Sequence, residues 1–454
     1  MSVHDGLRVG VDGFNLALPQ GTGVATYART LAAALQGMGR RIDLVYGLNV
    51  GPKTSPDLRE TLFFAALAEG RSGEEPPLKV TPWGRVRRLA MGPGARDLVE
   101  VPVSGRVVRE GVAARVPAFD RLFTLNRLFW IGRRYLQRYG RPMPVRIADP
   151  PAIMHWTYPV PVRLLGARNI YTIHDLVPLR LPYLSLEDKA YHARLLRAFE
   201  SVADHILTVS EVSRTDITEQ LGFAPDRVTA IHQAVPGTAV PAAEPEVETR
   251  RLRALFDLEP QGYFLFYGAT EPKKNVGRLI EAYLGSGIER PLVIAGPTAW
   301  RSEGELRLLG GAHGKTLSRA SQIRRIDYLP ADHLALLLRG ARGFVFPSLY
   351  EGFGLPAVEA MRASVPVIAG DGGALPEITG GAALLVDPYD VGAIGAAMAR
   401  LDTDSELRAG LVAAGAVRAE TFALAPYQSA LDDLHARLLG HHERGAPPAL
   451  SGVL

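Results

Sequence analysis

The sequence predicts an α/β protein of two doubly wound domains that face each other across a cleft. Three observations carry that prediction. Short β-branched and aromatic runs alternate with helix-length segments, the pattern of βαβ units on parallel sheets. The rhythm stops at a turn-rich stretch, VPGTAVPAAEPEVE (235–248), and then restarts. A chain of 454 residues, 47% of them hydrophobic, has room for two or three domains, each with its own core.

In the first half, strands are expected at 7–13, 42–47, 169–175, 205–210 and 227–233, with helices over 23–38 and 186–203. Residues 48–146, rich in Gly, Pro and Arg, read as an insertion with one amphipathic helix over 119–139. In the second half, strands are expected at 263–268, 291–296, 323–329, 343–348, 366–371 and 383–388. Helices should follow at 276–285, 331–341, 356–363, 391–401, 404–420 and 426–440. This divides the chain into an N-terminal domain (1–240), a C-terminal domain (241–420) and a closing segment (421–454) whose helix crosses back. Open parallel sheets bind ligands beyond the carboxyl ends of their strands, so the site belongs in the cleft.

Composition removes several function classes. Cys is absent, which excludes a disulfide framework, a thiolate metal site and a cysteine nucleophile, and suits a reducing cytoplasm. No run approaches the ~20 apolar residues that span a bilayer, and the N-terminal segment does not read as a secretory signal. The net charge of +4 is unevenly spread. Residues 81–146 hold 14 Arg and no Lys against four acids (Asp97, Glu100, Glu110, Asp120), a balance of +10. That segment is either a solvated insertion or a surface for anionic lipid, with Phe123, Phe129 and Trp130 inserting from the expected helix.

Four segments carry chemistry. In FPSLYEGFGLPAVEAM (346–361) a strand ends, a Gly-containing turn follows, and a helix opens near Pro356. Unpartnered N–H groups at such a helix start, with the helix dipole, suit an anion. Glu351 and Glu359 bracket the turn, where they could accept hydrogen bonds from sugar hydroxyls; by themselves they read more readily as turn and helix-dipole chemistry. In FYGATEPKKNVGRLIEAY (266–283), Lys273 and Lys274 stand at a helix start, where their charge suggests an anion to neutralise, though two solvated lysines in a turn are the commoner case. In IYTIHDLVPLRLP (170–182), His174 ends a strand and faces the cleft, though a lone His there is commonly a core residue. LPQGTGVATYARTL (18–31) offers Gly21 and Gly23, but the third glycine and distal acid of a dinucleotide fingerprint are missing. The D-x-D at Asp402–Asp404 reads as helix capping, so no metal is expected.

The string Glu351-Gly-Phe-Gly-Leu-Pro-Ala-Val-Glu359 resembles the E-x7-E signature of the family 4 retaining glycosyltransferases of GT-B fold. The likeness runs over most of residues 168–390 and over the N-terminal loop. It implies two Rossmann-like domains, with donor sugar and diphosphate held by Glu351 and the amides of Gly352, Phe353, Gly354 and Leu355. It assigns ribose to Glu359, diphosphate to Lys274, and the anomeric centre to His174 in TIHDL. Lys273 stands in for an Arg the family carries directly after the glycine, where this chain has Ala269. Gly21 and Gly23 match the family's N-terminal loop, and Leu329 in DYLP its base-binding strand end. Ser364 and Ile231-His232-Gln233-Ala234 depart from the family pattern.

The resemblance implies transfer of a hexose from a nucleotide diphosphate sugar to a saccharide or polyprenyl-diphosphate-linked acceptor, without metal or cofactor. GDP-mannose is the expected donor, because EPKKN resembles mannosyl- and rhamnosyltransferases of surface polysaccharide assembly. The expected place is the cytoplasm, either free in it or peripheral on the inner membrane face, with no nucleic-acid partner. The rival readings are a GT-B nucleotide-sugar epimerase and a non-catalytic scaffold of the same fold.

Overall fold

The computed structural model describes residues 6–18, 23–51, 53–70, 92–186, 188–237, 242–309 and 321–440. Its first half contains β1 (Arg8–Asp12), β2 (Arg41–Tyr46), β3 (Arg96–Asp97), β4 (Val99–Glu100), β5 (Arg121–Thr124), β6 (Met143–Arg146), β7 (Ile153–Trp156), β8 (Val162–Leu164), β9 (Arg168–Thr172), β10 (His205–Thr208) and β11 (Val228–Ala230). Eight of these form one sheet in the order β11-β10-β9-β7-β1-β2-β5-β4, parallel except for the β4–β5 edge pair. The remaining three make a small sheet, β3-β6-β8.

The second half contains β12 (Phe264–Tyr267), β13 (Leu292–Ala295), β14 (Ile323–Ile326), β15 (Gly343–Phe346), β16 (Val367–Gly370) and β17 (Ala383–Val386). They form an all-parallel sheet in the order β14-β13-β12-β15-β16-β17. FLFY of β12 and GFVF of β15 are buried at every position, as strands covered by helices on both faces must be. Phe344 and Phe346 stack with ring centroids 5.7 Å apart, a rigid base for the loops above them.

Two sequence expectations are corrected. The helix expected over 119–139 is a strand, β5, followed by a helix at Leu128–Tyr139. β5 pairs in parallel with β2, and the Arg121 guanidinium forks onto the buried Asp43 carboxylate (2.9 and 2.6 Å). The 48–146 segment therefore supplies part of the main sheet and is not simply inserted beside it. Phe123 and Phe129 are buried in the core with Tyr135, Met154 and Trp156, so neither is available to enter lipid. The other correction is β7, unforeseen in the sequence, which lies between β1 and β9 near the sheet centre. IMHW is too short, and too close to the Pro-rich residues before it, to stand out by pattern.

The Leu424–Gly440 helix packs on the Gly23–Gly37 helix of the first half, where Gln428 donates to the Ala34 carbonyl (3.0 Å) and Arg40 pairs with Asp432.

Candidate functional site

The site gathers where the C-terminal ends of the two sheets meet. On the second-half wall, a 3-10 turn at Pro272–Lys274 ends in Asn275, whose φ of 60° is a left-handed conformation that Asn tolerates. The buried Asn275 amide donates to the carbonyls of Pro347 (3.0 Å) and Pro388 (2.6 Å), just beyond β15 and β17. Leu349 N–H donates to the Lys273 carbonyl (2.9 Å). So stapled, the turn sets Lys274 Nζ 2.7 Å from Glu351 Oε1 and Lys273 Nζ 3.9 Å from Oε2. Lys274 Nζ also lies 4.8 Å from the centre of the Phe346 ring.

Burial by itself would raise the pKa of Glu351, but the Lys274 and Lys273 ammoniums outweigh it and hold the carboxyl below its ordinary value. Among the described residues, Lys273 and Lys274 thus set two ammoniums against the Glu351 carboxylate.

Above it, Gly354 (φ 99°) caps the Leu355–Arg362 helix, with Pro356 at the second helical position. Among the described residues, no acceptor pairs with the backbone N–H of Gly352, Phe353, Gly354 or Leu355. The Phe353 ring turns inward against Phe422 (5.5 Å). Gly352 is required by space: a Cβ would meet the His174 carbonyl at 2.6 Å. Glu359, on the same helix, accepts the Tyr267 hydroxyl, and burial pushes its pKa up.

One premise from the sequence is overturned. The start of the Val276–Gly285 helix holds a protein carboxylate already, since Gly277 N–H donates to Glu305 (2.7 Å). The lysines precede that helix, and they converge on Glu351.

On the first-half wall His174 is an uncharged ring. Its Nε2–H donates to the Thr157 carbonyl (2.9 Å), which leaves Nδ1 as the acceptor of the neutral ring. Burial lowers its pKa, and Tyr27 packs edge-on at 4.8 Å. The Tyr27 hydroxyl reaches His155 (3.3 Å) and Thr172 (3.1 Å). Asp12, fully buried at the end of β1, accepts from the Thr157 and Phe14 N–H groups, and burial raises its pKa to about 6. Sequence reasoning missed Asp12, Tyr27, Thr157 and Tyr267. Asp12 alone carried a signal, as the acid closing the first strand run.

Gly23 opens the Gly23–Gly37 helix, and a Cβ on it would lie 3.6 Å from Leu355 across the cleft. Gly21 lies outside the described residues. Leu329 sits beyond β14, at the far edge of the second sheet, beside an exposed Tyr328. Among the described residues, no group of three or more His, Asp or Glu could hold a metal ion, and no helix is long and apolar enough to cross a membrane.

Comparison with known proteins gives two family matches in sequence order. Residues 21–236 match "Glycosyltransferase Family 4" and residues 251–418 match "Glycosyl transferases group 1". The O-antigen chain mannosyltransferase B of Escherichia coli is 33% identical over 260 residues, 56% of this chain and 66% of that protein. The serotype-specific mannosyltransferase WbdA of E. coli is 32% identical over 258 residues, 55% of this chain and 31% of that protein. The matches thus span less than two thirds of either relative. Among solved structures, Anabaena HepE in complex with UDP superposes with a TM-score of 0.62 at 13% identity, covering 95% of this chain and all of that one. WaaG, a glycosyltransferase involved in lipopolysaccharide biosynthesis, gives 0.57 at 14% identity over 94% of this chain and 99% of that one. These structures establish the GT-B fold.

Proposed function

The chain belongs to the GT-B glycosyltransferases, and from that premise we propose that it transfers mannose from GDP-mannose, with retention, to a saccharide or polyprenyl-diphosphate-linked saccharide in O-antigen assembly. The observation that carries the reading is the pair of a half-buried Lys274 with the buried Glu351, with Lys273 beside it, under four amides that find no acceptor among the described residues. A diphosphate takes over the two ammoniums and the amides, and the freed Glu351 carboxylate accepts hydrogen bonds from sugar hydroxyls. Leu329 lies beyond β14, three strand positions from β15, or ~14 Å at ordinary strand spacing. That separation suits a base at one edge and a sugar at Glu351.

In the reaction, the bond from the sugar C1 to the diphosphate oxygen breaks while the acceptor hydroxyl attacks from the same face. Its proton passes to the departing diphosphate oxygen. Lys273, Lys274 and the amides stabilise the charge that develops there. His174, neutral and with Nδ1 free to accept, orients a sugar hydroxyl. The mannose preference is supported by the relatives' names, O-antigen chain mannosyltransferase B and WbdA.

The test is donor hydrolysis with GDP-mannose, UDP-glucose and UDP-N-acetylglucosamine, with and without excess EDTA. Slow release of α-mannose from GDP-mannose in the presence of EDTA is expected. No hydrolysis of any donor favours a scaffold, and loss that Mg²⁺ restores ends the metal-free scheme. Contact with the inner membrane face is part of the same proposal. It rests on exposed Arg106, Arg134, Arg138 and Arg141, each worth about 1 kcal/mol near anionic lipid. Co-sedimentation with anionic vesicles at low salt tests it, and indifference to lipid charge removes it.

A further inference from the structure

One helix start ties both walls of the cleft together. Ser210 caps the Glu211–Leu221 helix by accepting from Ser213 N–H (3.2 Å), and its own hydroxyl donates to the Gly352 carbonyl (2.7 Å). Ser213 donates to the His174 carbonyl (3.0 Å). The first turn of this first-half helix therefore holds the backbone of His174 on one side and of the Gly352 turn on the other.

The same turn is gripped from the second half by Glu377. Its Oε1 accepts from Glu211 N–H (2.8 Å) and from His232 Nε2 (2.6 Å), and its Oε2 from Val212 N–H (3.0 Å). Glu377 stands on a short helix, Leu375–Thr379, whose backbone is pinned by Arg418 through the carbonyls of Glu377 (2.6 Å) and Ile378 (2.9 Å). Ala374 N–H, just before that helix, donates to the Glu351 carbonyl (2.9 Å). A continuous path thus runs from Glu351 through 374–377 and across the cleft to the helix start, and from there back to His174. A carboxylate with two helix N–H groups and an imidazole around it is a strong, directional contact between the halves.

We propose that Glu377 is a positioning residue that locks the two walls in register, aligning His174 with the Glu351–Gly354 turn without touching substrate. This role rests on the glycosyl transfer proposed above. Misplacing reacting groups by about 1 Å costs on the order of 10²-fold in rate, whereas a diphosphate held by one wall loses little.

The experiment compares the full chain with Glu377→Ala and with His232→Gln, which removes one donor and leaves the carboxylate. Three quantities are measured: turnover with GDP-mannose, GDP affinity by calorimetry, and maximum dimension by small-angle scattering. Glu377→Ala is expected to lower kcat about 100-fold, to shift GDP affinity less than about threefold, and to enlarge the particle. His232→Gln should lower kcat about tenfold and enlarge the particle less than Glu377→Ala does. An unchanged dimension in Glu377→Ala, or a fall in GDP affinity that matches the fall in turnover, overturns the proposal. If the unaltered chain turns over no donor, the functional reading fails while scattering still decides whether Glu377 holds the halves closed.

Discussion

The two walls of the cleft keep their polar groups in opposite ways. The second-half wall concentrates charge, with Lys273 and Lys274 against a buried Glu351 and Glu359 held behind by Tyr267. The first-half wall around His174 is a network in which the neutral His155 ring, Tyr27 and Thr172 share hydrogen bonds, with the Asp12 carboxyl acting on Tyr27 from beside it. Burial pulls His174 down and His155 to about 3, so both rings stay uncharged at neutral pH. A charged wall suits a ligand whose charge it exchanges for its own. A neutral one recognises hydroxyl groups by direction alone.

The largest effect expected from breaking this contrast is at Lys274. Lys274→Ala should lower kcat/KM by ~10²–10³-fold, the scale of a lost charged transition-state contact. It should also destabilise the fold by ~3–5 kcal/mol, because it strands a buried carboxylate. Adding Glu351→Gln should restore most of the stability and none of the turnover. If the double variant unfolds as easily as the single one in urea, the pair is not the source of the charge on this wall.

On the neutral wall, His174→Ala should lower kcat by about 10²-fold while GDP affinity, read by calorimetry, stays nearly unchanged. An equal loss in affinity would place His174 on the donor's diphosphate.

Buried groups of the first half also respond to acid. His155 and His205 are depressed by burial to about 3 and about 4, so their contribution to stability is present above pH 6.5 and lost as pH falls below it. Asp12 opposes them: its pKa is raised to about 6, and its contribution is lost as pH rises through that value. Between pH 4.5 and 6 the two histidines outweigh Asp12 among these three groups, so their combined effect is that stability to urea rises with pH. His155→Gln should flatten that slope, and an undiminished slope would show that other groups set it.

The smallest effect is expected behind the charged wall. Tyr267→Phe removes one hydrogen bond to Glu359, worth about 1 kcal/mol, and should weaken GDP binding about fivefold. No change in GDP affinity would detach Glu359 from nucleotide binding.

Much of this molecule was legible in its sequence because the signals are local. Buried parallel strands read as short apolar runs, and FLFY and GFVF stood out for that reason. The EGFGLP turn announced itself through glycine and proline chemistry within nine residues, Glu351 to Glu359. The same local reading failed at 119–139, where four strand residues sit against a helix and share its apolar stripe. Whether RLFT joins a sheet depends on Asp43 of β2 being there to pair with Arg121, 78 residues away.

What periodicity and turn chemistry determined, then, was which segments become strands and helices, and which turns are shaped for anions. The tertiary structure alone decided which charges meet. Lys274 and Glu351 lie 77 residues apart, Asp12 and Thr157 145, and Glu377 and Glu211 166. The first two pairings exist because sheet order brings distant strand ends side by side, and the third because the two halves pack against each other across the cleft. No window of sequence long enough to show a strand is long enough to show its neighbours.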